Sequence, residues 1–186
     1  MNTLRKSLEE AIQGNPFGRM PADSITAELR NIQANITTFR KNQEEVSLGL
    51  DDWLALITPQ FQRANTKWTR EMQVNFVENV ISGYRGEILM YCIDDDDLPT
   101  SNAYLLDGLQ RLTAWVSFMK GEFKVFGQFY FDQINSRQYL RRTDITIKFY
   151  NFESEKEACE FYIQMNKNIT HSPQDLEVAY DYLKTL

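Results

Sequence analysis

The stretch Asp107-Gly108-Leu109-Gln110-Arg111 sets an acid, a glycine, an amide and a guanidinium side by side. An apolar run, Ala103 to Leu106, precedes it, and a helical pattern follows at once. The Asp-Gly pair favours a sharp turn. The first turn of a helix leaves N–H groups without intrahelical partners and carries a partial positive charge. A strand–turn–helix of this kind suits a phosphate. Arg111 can add a bidentate, charge-assisted contact. Asp107 can hold a divalent ion, position a water, or simply shape the turn. Gln110 can orient that water, or bond a base or ribose.

Two more polar clusters fall at element boundaries. Gln60-Phe61-Gln62-Arg63, followed by Trp68, lies between an apolar run and a helical pattern. Tyr162-Ile163-Gln164-Met165-Asn166-Lys167-Asn168-Ile169-Thr170-His171 closes another helical pattern. His171 is the sole histidine and can serve as an acid or base, or as a cap residue. Phe61, Trp68 and Tyr84 can stack a base or fill the core. Arg63, Lys67 and Arg70, and the pair Arg141-Arg142, can touch DNA phosphates or balance an acidic surface.

These groups need elements to hold them. Residues 3–13 read as a short helix ended by Gly14-Asn15-Pro16. Residues 24–43 read as a longer helix, with Ile25, Leu29, Ile32, Ile36 and Phe39 on one stripe. That stripe suits packing on the chain's own core, or a homodimer seam. Strands are predicted at 53–58, 87–93, 103–106, 123–131 and 145–150. Helices are predicted at 69–82, 109–119, 154–166 and from Ser172-Pro173 onward. Interspersed strands and helices make the class α/β or α+β. The run Asp94 to Asp97 reads as a solvated loop tip.

The chain has 186 residues, with 20 Lys and Arg against 26 Asp and Glu, for a net charge of −6. Apolar residues make up 42%, enough for a core without staples. A general cationic DNA coat is excluded, although a local basic cleft is not. Two cysteines without a C-x-x-C motif, and one histidine, leave a zinc site short of ligands. They read as buried thiols in a reducing compartment. No run of about 18 apolar residues is present, and the N-terminus is charged where a signal peptide is apolar. The expectation is a cytoplasmic protein without a membrane span.

Three segments together, TPQFQRANTKW at 58–68, DGLQRLTA at 107–114 and FYIQMNKNITHS at 161–172, resemble a known family. It is the ParB/sulfiredoxin-like family that includes the GmrS portion of the GmrSD modification-dependent restriction enzymes and the SspE defence protein. Its signature reads roughly I-P-x-[FY]-Q-R-x-x-x-W, then D-G-Q-Q-R-L-T, then F-x-x-[ML]-N-x-G-G-T. The resemblance covers about residues 50–180. It implies an α+β fold, a mixed sheet with surrounding helices, in a nucleotide-binding domain over 46–186. An N-terminal helical extension would occupy 1–45.

The resemblance also implies a nucleoside triphosphate as ligand or substrate. Asp107, Gly108, Gln110 and Arg111 match the central motif, Gln62 and Arg63 the first, and Asn166 and Thr170 the third. On this reading Asp107, Gln110, Arg111 and Gln62 are catalytic. Arg63, Gly108, Arg111, Asn166 and Thr170 bind the nucleotide, and Asp107 meets Mg²⁺. Leu109 stands where the family has its first Gln, and its spacing with Leu112 and Val116 allows it to face the core. The third segment carries no glycine.

Three functions follow as expectations. The first is an enzyme that hydrolyses a nucleoside triphosphate or transfers its phosphoryl group, in a phage or DNA-defence context. The second is a binding module acting on a DNA-processing or defence protein, such as an inhibitor, or on modified DNA. The third is a ParB-like DNA nuclease. The resemblance to standalone phage-type versions implies the host cytoplasm if the chain is phage-encoded.

Overall fold

A computed structural model describes residues 5–8, 11, 21–62, 67–93, 102–136, 140, 143–167 and 173–186. Residues 5–8 and 11 are helical, which agrees with part of the first predicted helix. The elements then run β1 (Asp23–Glu28), α1 (Ile32–Thr37), α2 (Leu50–Ile57), α3 (Arg70–Ile81), β2 (Glu87–Ile93), β3 (Tyr104–Asp107), α4 (Leu109–Met119), α5 (Phe131–Ile134), β4 (Asp144–Phe152), α6 (Glu155–Asn166) and α7 (Pro173–Leu183). Short 3₁₀ turns at Leu29–Asn31 and Gln43–Ser47 flank α1. The fold is α+β, as expected.

One mixed sheet, in the order β1-β4-β2-β3, carries the molecule. β4 pairs antiparallel with β1 and parallel with β2, while β2 pairs antiparallel with β3. Side chains alternate across a strand, so β2 feeds two cores. Ile88 and Met90 join one core with Ile147, Leu105, Val77, Leu112 and Trp115. Leu89 and Tyr91 join the other with Phe152, Phe61, Tyr162 and Leu176. Burial on both faces explains why EILMYCI is almost wholly apolar.

β3 lies at the sheet edge and leads straight into the candidate site. Its start is pinned by Ala103, whose N–H donates to Phe39 O at 3.0 Å. Arg40 Nη1 donates back to Ala103 O at 2.6 Å, and the same guanidinium is paired with buried Glu45. A buried cation needs such a partner, because an unpaired buried charge is strongly destabilising.

Three predicted elements are corrected. Residues 24–28 are not helical: they belong to β1, with Ile25 opposite Ile147. The open edge of β4 supplies ladder partners that outweigh the helical spacing of Ile25 with Leu29. Helix starts only after that strand and ends at Thr37, short of the predicted 43, and Leu29, Ile32 and Ile36 are buried in the chain's own core. The stripe is therefore not a free dimer seam. Residues 53–58 are not a strand: they lie in and just after α2. Trp53, Leu54 and Ile57 are buried at helical spacing, and Asp51 and Asp52 favour the helix start. A short apolar run does not reveal its period alone. Finally, 123–131 is no continuous strand. Val125 and Phe129 bridge across a turn at Phe126 and Gly127, both with positive φ, and α5 begins at Phe131. Gly127 was the signal for that break.

Candidate functional site

The predicted Asp-Gly turn is present, and glycine is required there. Gly108 has φ 108°, a region that side chains disfavour. A Cβ at that position would lie 2.7 Å from Ile88 Cδ1, in the core, and 3.6 Å from Arg111 Nε. The turn thus lets the guanidinium approach the backbone. The register of β3 against β2 shifts between Leu89 and Met90, which pair with Asp107 and Leu105. Such a bulge re-aims the side chains beside it, here Asp107.

Arg111 is held on two sides. Its Nη2 donates to Asp107 Oδ2, and its Nη1 donates to Glu87 O at 2.5 Å. The pair is 25% and 33% exposed. A partly exposed ion pair contributes about 0–1 kcal/mol, so its main effect is orientation. Gly108, at the N-cap of α4, has no side chain with which to cap it. By contrast, Thr69 caps α3 and Ser154 caps α6 through their hydroxyls. The first N–H groups of α4 therefore lie beside a fixed cation.

The QFQR segment ties itself to this turn. Phe61 is 0% exposed and packs against Tyr91 and Tyr162, with ring centroids 5.8 and 5.4 Å away. It fills the second core, so it is not a base-stacking ring. Gln62 Nε2 donates to Leu105 O at 3.2 Å and to Leu106 O at 2.8 Å. It satisfies carbonyls of an edge strand, as a further strand would. Further along, the Trp68 N–H donates to Gln110 Oε1 at 3.3 Å. Gln110 Nε2 is buried and has no hydrogen-bond partner among the described residues. An orphaned buried donor costs about 1–3 kcal/mol.

Asp107, Gly108, Gln110, Arg111 and Gln62 thus gather around the end of β3. Asn166 is buried at the end of α6 and donates to Tyr162 O at 2.9 Å. Its helix contributes to the second core, with Phe61 and Leu106. Arg63, Thr170, His171, the Asp94–Asp97 run and Arg141-Arg142 lie outside the described residues.

A groove of about 480 Å³ opens between α3 and Arg111. Met72, Asn75, Phe76 and Asn79 line it from one face of α3, at i, i+3, i+4 and i+7. Trp68, just before α3, and Tyr84, just after it, complete the wall. Two of the three rings singled out in the sequence are therefore at the groove. Met72, Asn75 and Asn79 were missed. Their signal was an asparagine pair four residues apart on the side of α3 away from the buried Val77 and Val80.

The family model for the GmrSD restriction endonuclease, N-terminal domain, matches residues 36–185. The chain belongs to that family. No curated protein and no solved structure matched it. The match to the GmrSD N-terminal domain takes in the turn, the QFQR segment and the whole groove. β1 precedes the matched span, yet it completes the sheet beside β4. Leu109, where the signature has Gln, is 8% exposed and belongs to the first core.

Among the described residues, no cluster of three or more His, Cys, Asp and Glu could hold a metal ion. Asp107 belongs to no such cluster among the described residues, and one of its oxygens accepts from Arg111. Mg²⁺ is commonly held by one or two carboxylates together with substrate phosphates. The donor set therefore fits an ion that arrives with a triphosphate. No helix among the described residues is long and apolar enough to cross a membrane.

Proposed function

We propose that this GmrSD N-terminal-type domain binds a nucleoside triphosphate at the β3–α4 turn, in a restriction or phage-defence setting. One observation carries the reading. Arg111 stands on the groove wall and at an uncapped helix start, with its guanidinium fixed by Asp107 and Glu87 O. A preset cation beside the N–H groups of a helix start stabilises phosphate charge without reorganising at the moment of binding.

The residues divide the work. The N–H groups at the start of α4 and the Arg111 guanidinium take phosphate oxygens. Asp107 holds the guanidinium in place and would meet Mg²⁺ brought by the ligand, which would neutralise further phosphate charge. Gln110 offers its orphaned Nε2 as a donor. The family resemblance would add Arg63 and Thr170, both outside the described residues, to the phosphate contacts, and Asn166 from the third motif. Hydrolysis or phosphoryl transfer then needs only positioning and charge stabilisation, with Gln62 or Gln110 orienting the attacking group.

A second reading is binding without turnover. It is favoured by the occupied state of two of those groups. The Gln62 amide already donates to Leu105 O and Leu106 O, and the Asp107 carboxylate already accepts from Arg111. In that case the bound nucleotide controls an encounter with a DNA-processing or defence partner.

Phosphate release from ATP, GTP, CTP and UTP with Mg²⁺, together with ligand-induced melting shifts, tests both. At least one nucleotide is expected to raise the melting temperature. Arg111→Ala, verified as folded by circular dichroism, is expected to weaken binding at least tenfold. Release by the wild type that the variant abolishes supports the enzyme. A melting shift without release selects the second reading. No nucleotide binding by the wild type overturns the proposal.

A further inference from the structure

We infer that the groove face of α3 recognises the nucleobase, with Asn75 and Asn79 bonding its edge. The inference rests on the proposed triphosphate site. Arg111 belongs both to that site and to the groove wall. A ligand with its phosphates on the α4 start has the groove as its adjoining space. The volume of about 480 Å³ falls within the range of small-molecule sites.

The lining suits a flat, polar-edged ring. Trp68 and Tyr84 place two aromatic rings at the groove, and Tyr84 is 54% exposed. Every base has a π-face that can stack on such a ring. Asn75 and Asn79 lie one helical turn apart, so their side chains start about 5–6 Å from each other. Each amide carries donors and an acceptor. Both residues are exposed on the groove side of α3. Two such amides can meet polar atoms at separate points on one ring. An asparagine amide can also pair bidentately with a single base edge, as with adenine N6 and N7. Apart from Arg111 the lining is uncharged, which fits a neutral base beyond its anionic phosphates.

The tryptophans provide a direct reporter. The chain has three. Trp53 and Trp115 are 0% exposed, whereas Trp68 lines the groove. A base seated there should quench Trp68 fluorescence, and a phosphate chain alone should not.

The test titrates the four nucleoside triphosphates and inorganic tripolyphosphate into wild type, Asn75→Ala and Asn79→Ala. The wild type is expected to prefer one base at least tenfold, with fluorescence quenching by nucleotides but not by tripolyphosphate. Either asparagine variant should bring the four nucleotides within about threefold of each other, with tripolyphosphate affinity kept. A base preference that survives both substitutions overturns the inference and leaves the triphosphate site standing. So does equal affinity for nucleotides and tripolyphosphate without quenching. No binding of any of the five ligands overturns the triphosphate site as well.

Discussion

At Gly108 a single hydrogen atom in place of a side chain decides the geometry of the turn. The residue has φ 108°, and a Cβ would press on Ile88 Cδ1. Ile88 is buried and has little room to yield. Gly108→Ala is therefore expected to cost about 1–3 kcal/mol, the usual range for a side chain held in a sparsely populated backbone region. The urea midpoint should fall with an unchanged m-value. A midpoint equal to the wild type would mean that the turn can adopt another conformation. The same residue admits Arg111 Nε close to the backbone, so the loss would reach the guanidinium too. Asp107 acts on the same scale. Its bond to Arg111 adds little stability but removes rotational freedom from a long side chain before any ligand arrives.

At the scale of elements, α4 shows why one departure from the family signature is tolerable. Leu109, Leu112 and Val116 all face the first core, while Gln110 and Arg111 remain toward the site. The leucine therefore replaces an amide on a buried face. Leu109→Gln is expected to lower stability by about 1–3 kcal/mol through a poorly paired buried amide. Chemical denaturation measures it, and an unchanged midpoint would place position 109 outside the core. The segment between α2 and α3 follows the same logic. Phe61 anchors in one core, Trp68 packs on the other, and Gln62 reaches the backbone of β3 between them. One stretch of chain thus closes the sheet edge and lines the groove.

At the scale of the molecule, a four-stranded sheet separates two cores, and the site lies at one edge strand. The second core seals Cys159, whose Sγ donates to Ala179 O at 3.4 Å and so joins α6 to α7. Burial, followed by the charges of Glu155 and Glu160, pushes this thiol up to about 11. A raised value keeps it protonated as pH rises through the neutral range, and roughly one molecule in a thousand carries the thiolate at pH 8. Cys92 is buried as well. A disulfide-exchange reagent at pH 8 is expected to label neither cysteine in the native protein and both after denaturation. Rapid labelling of Cys159 in the native protein would show that the α6–α7 layer opens.

Period and punctuation in the sequence were enough to determine β2, β3, β4, α3, α4 and α6 nearly to the residue. The helices have clear patterns bounded by a cap or a glycine, β2 and β4 have dense apolar patterns, and the four residues of β3 are placed by the Asp-Gly turn that ends them. They also determined that Asp107, Gly108, Gln110 and Arg111 share one turn, because local chemistry builds that turn. Three things were decided only in the tertiary structure. Residues 24–28 became a strand because the edge of β4 offered ladder hydrogen bonds that no local pattern encodes. The run at 53–58 became helix because a short apolar segment takes its period from the surface it covers. Asn75 and Asn79 came to face Arg111 because two helices far apart in the chain pack side by side, and a groove exists only between packed surfaces.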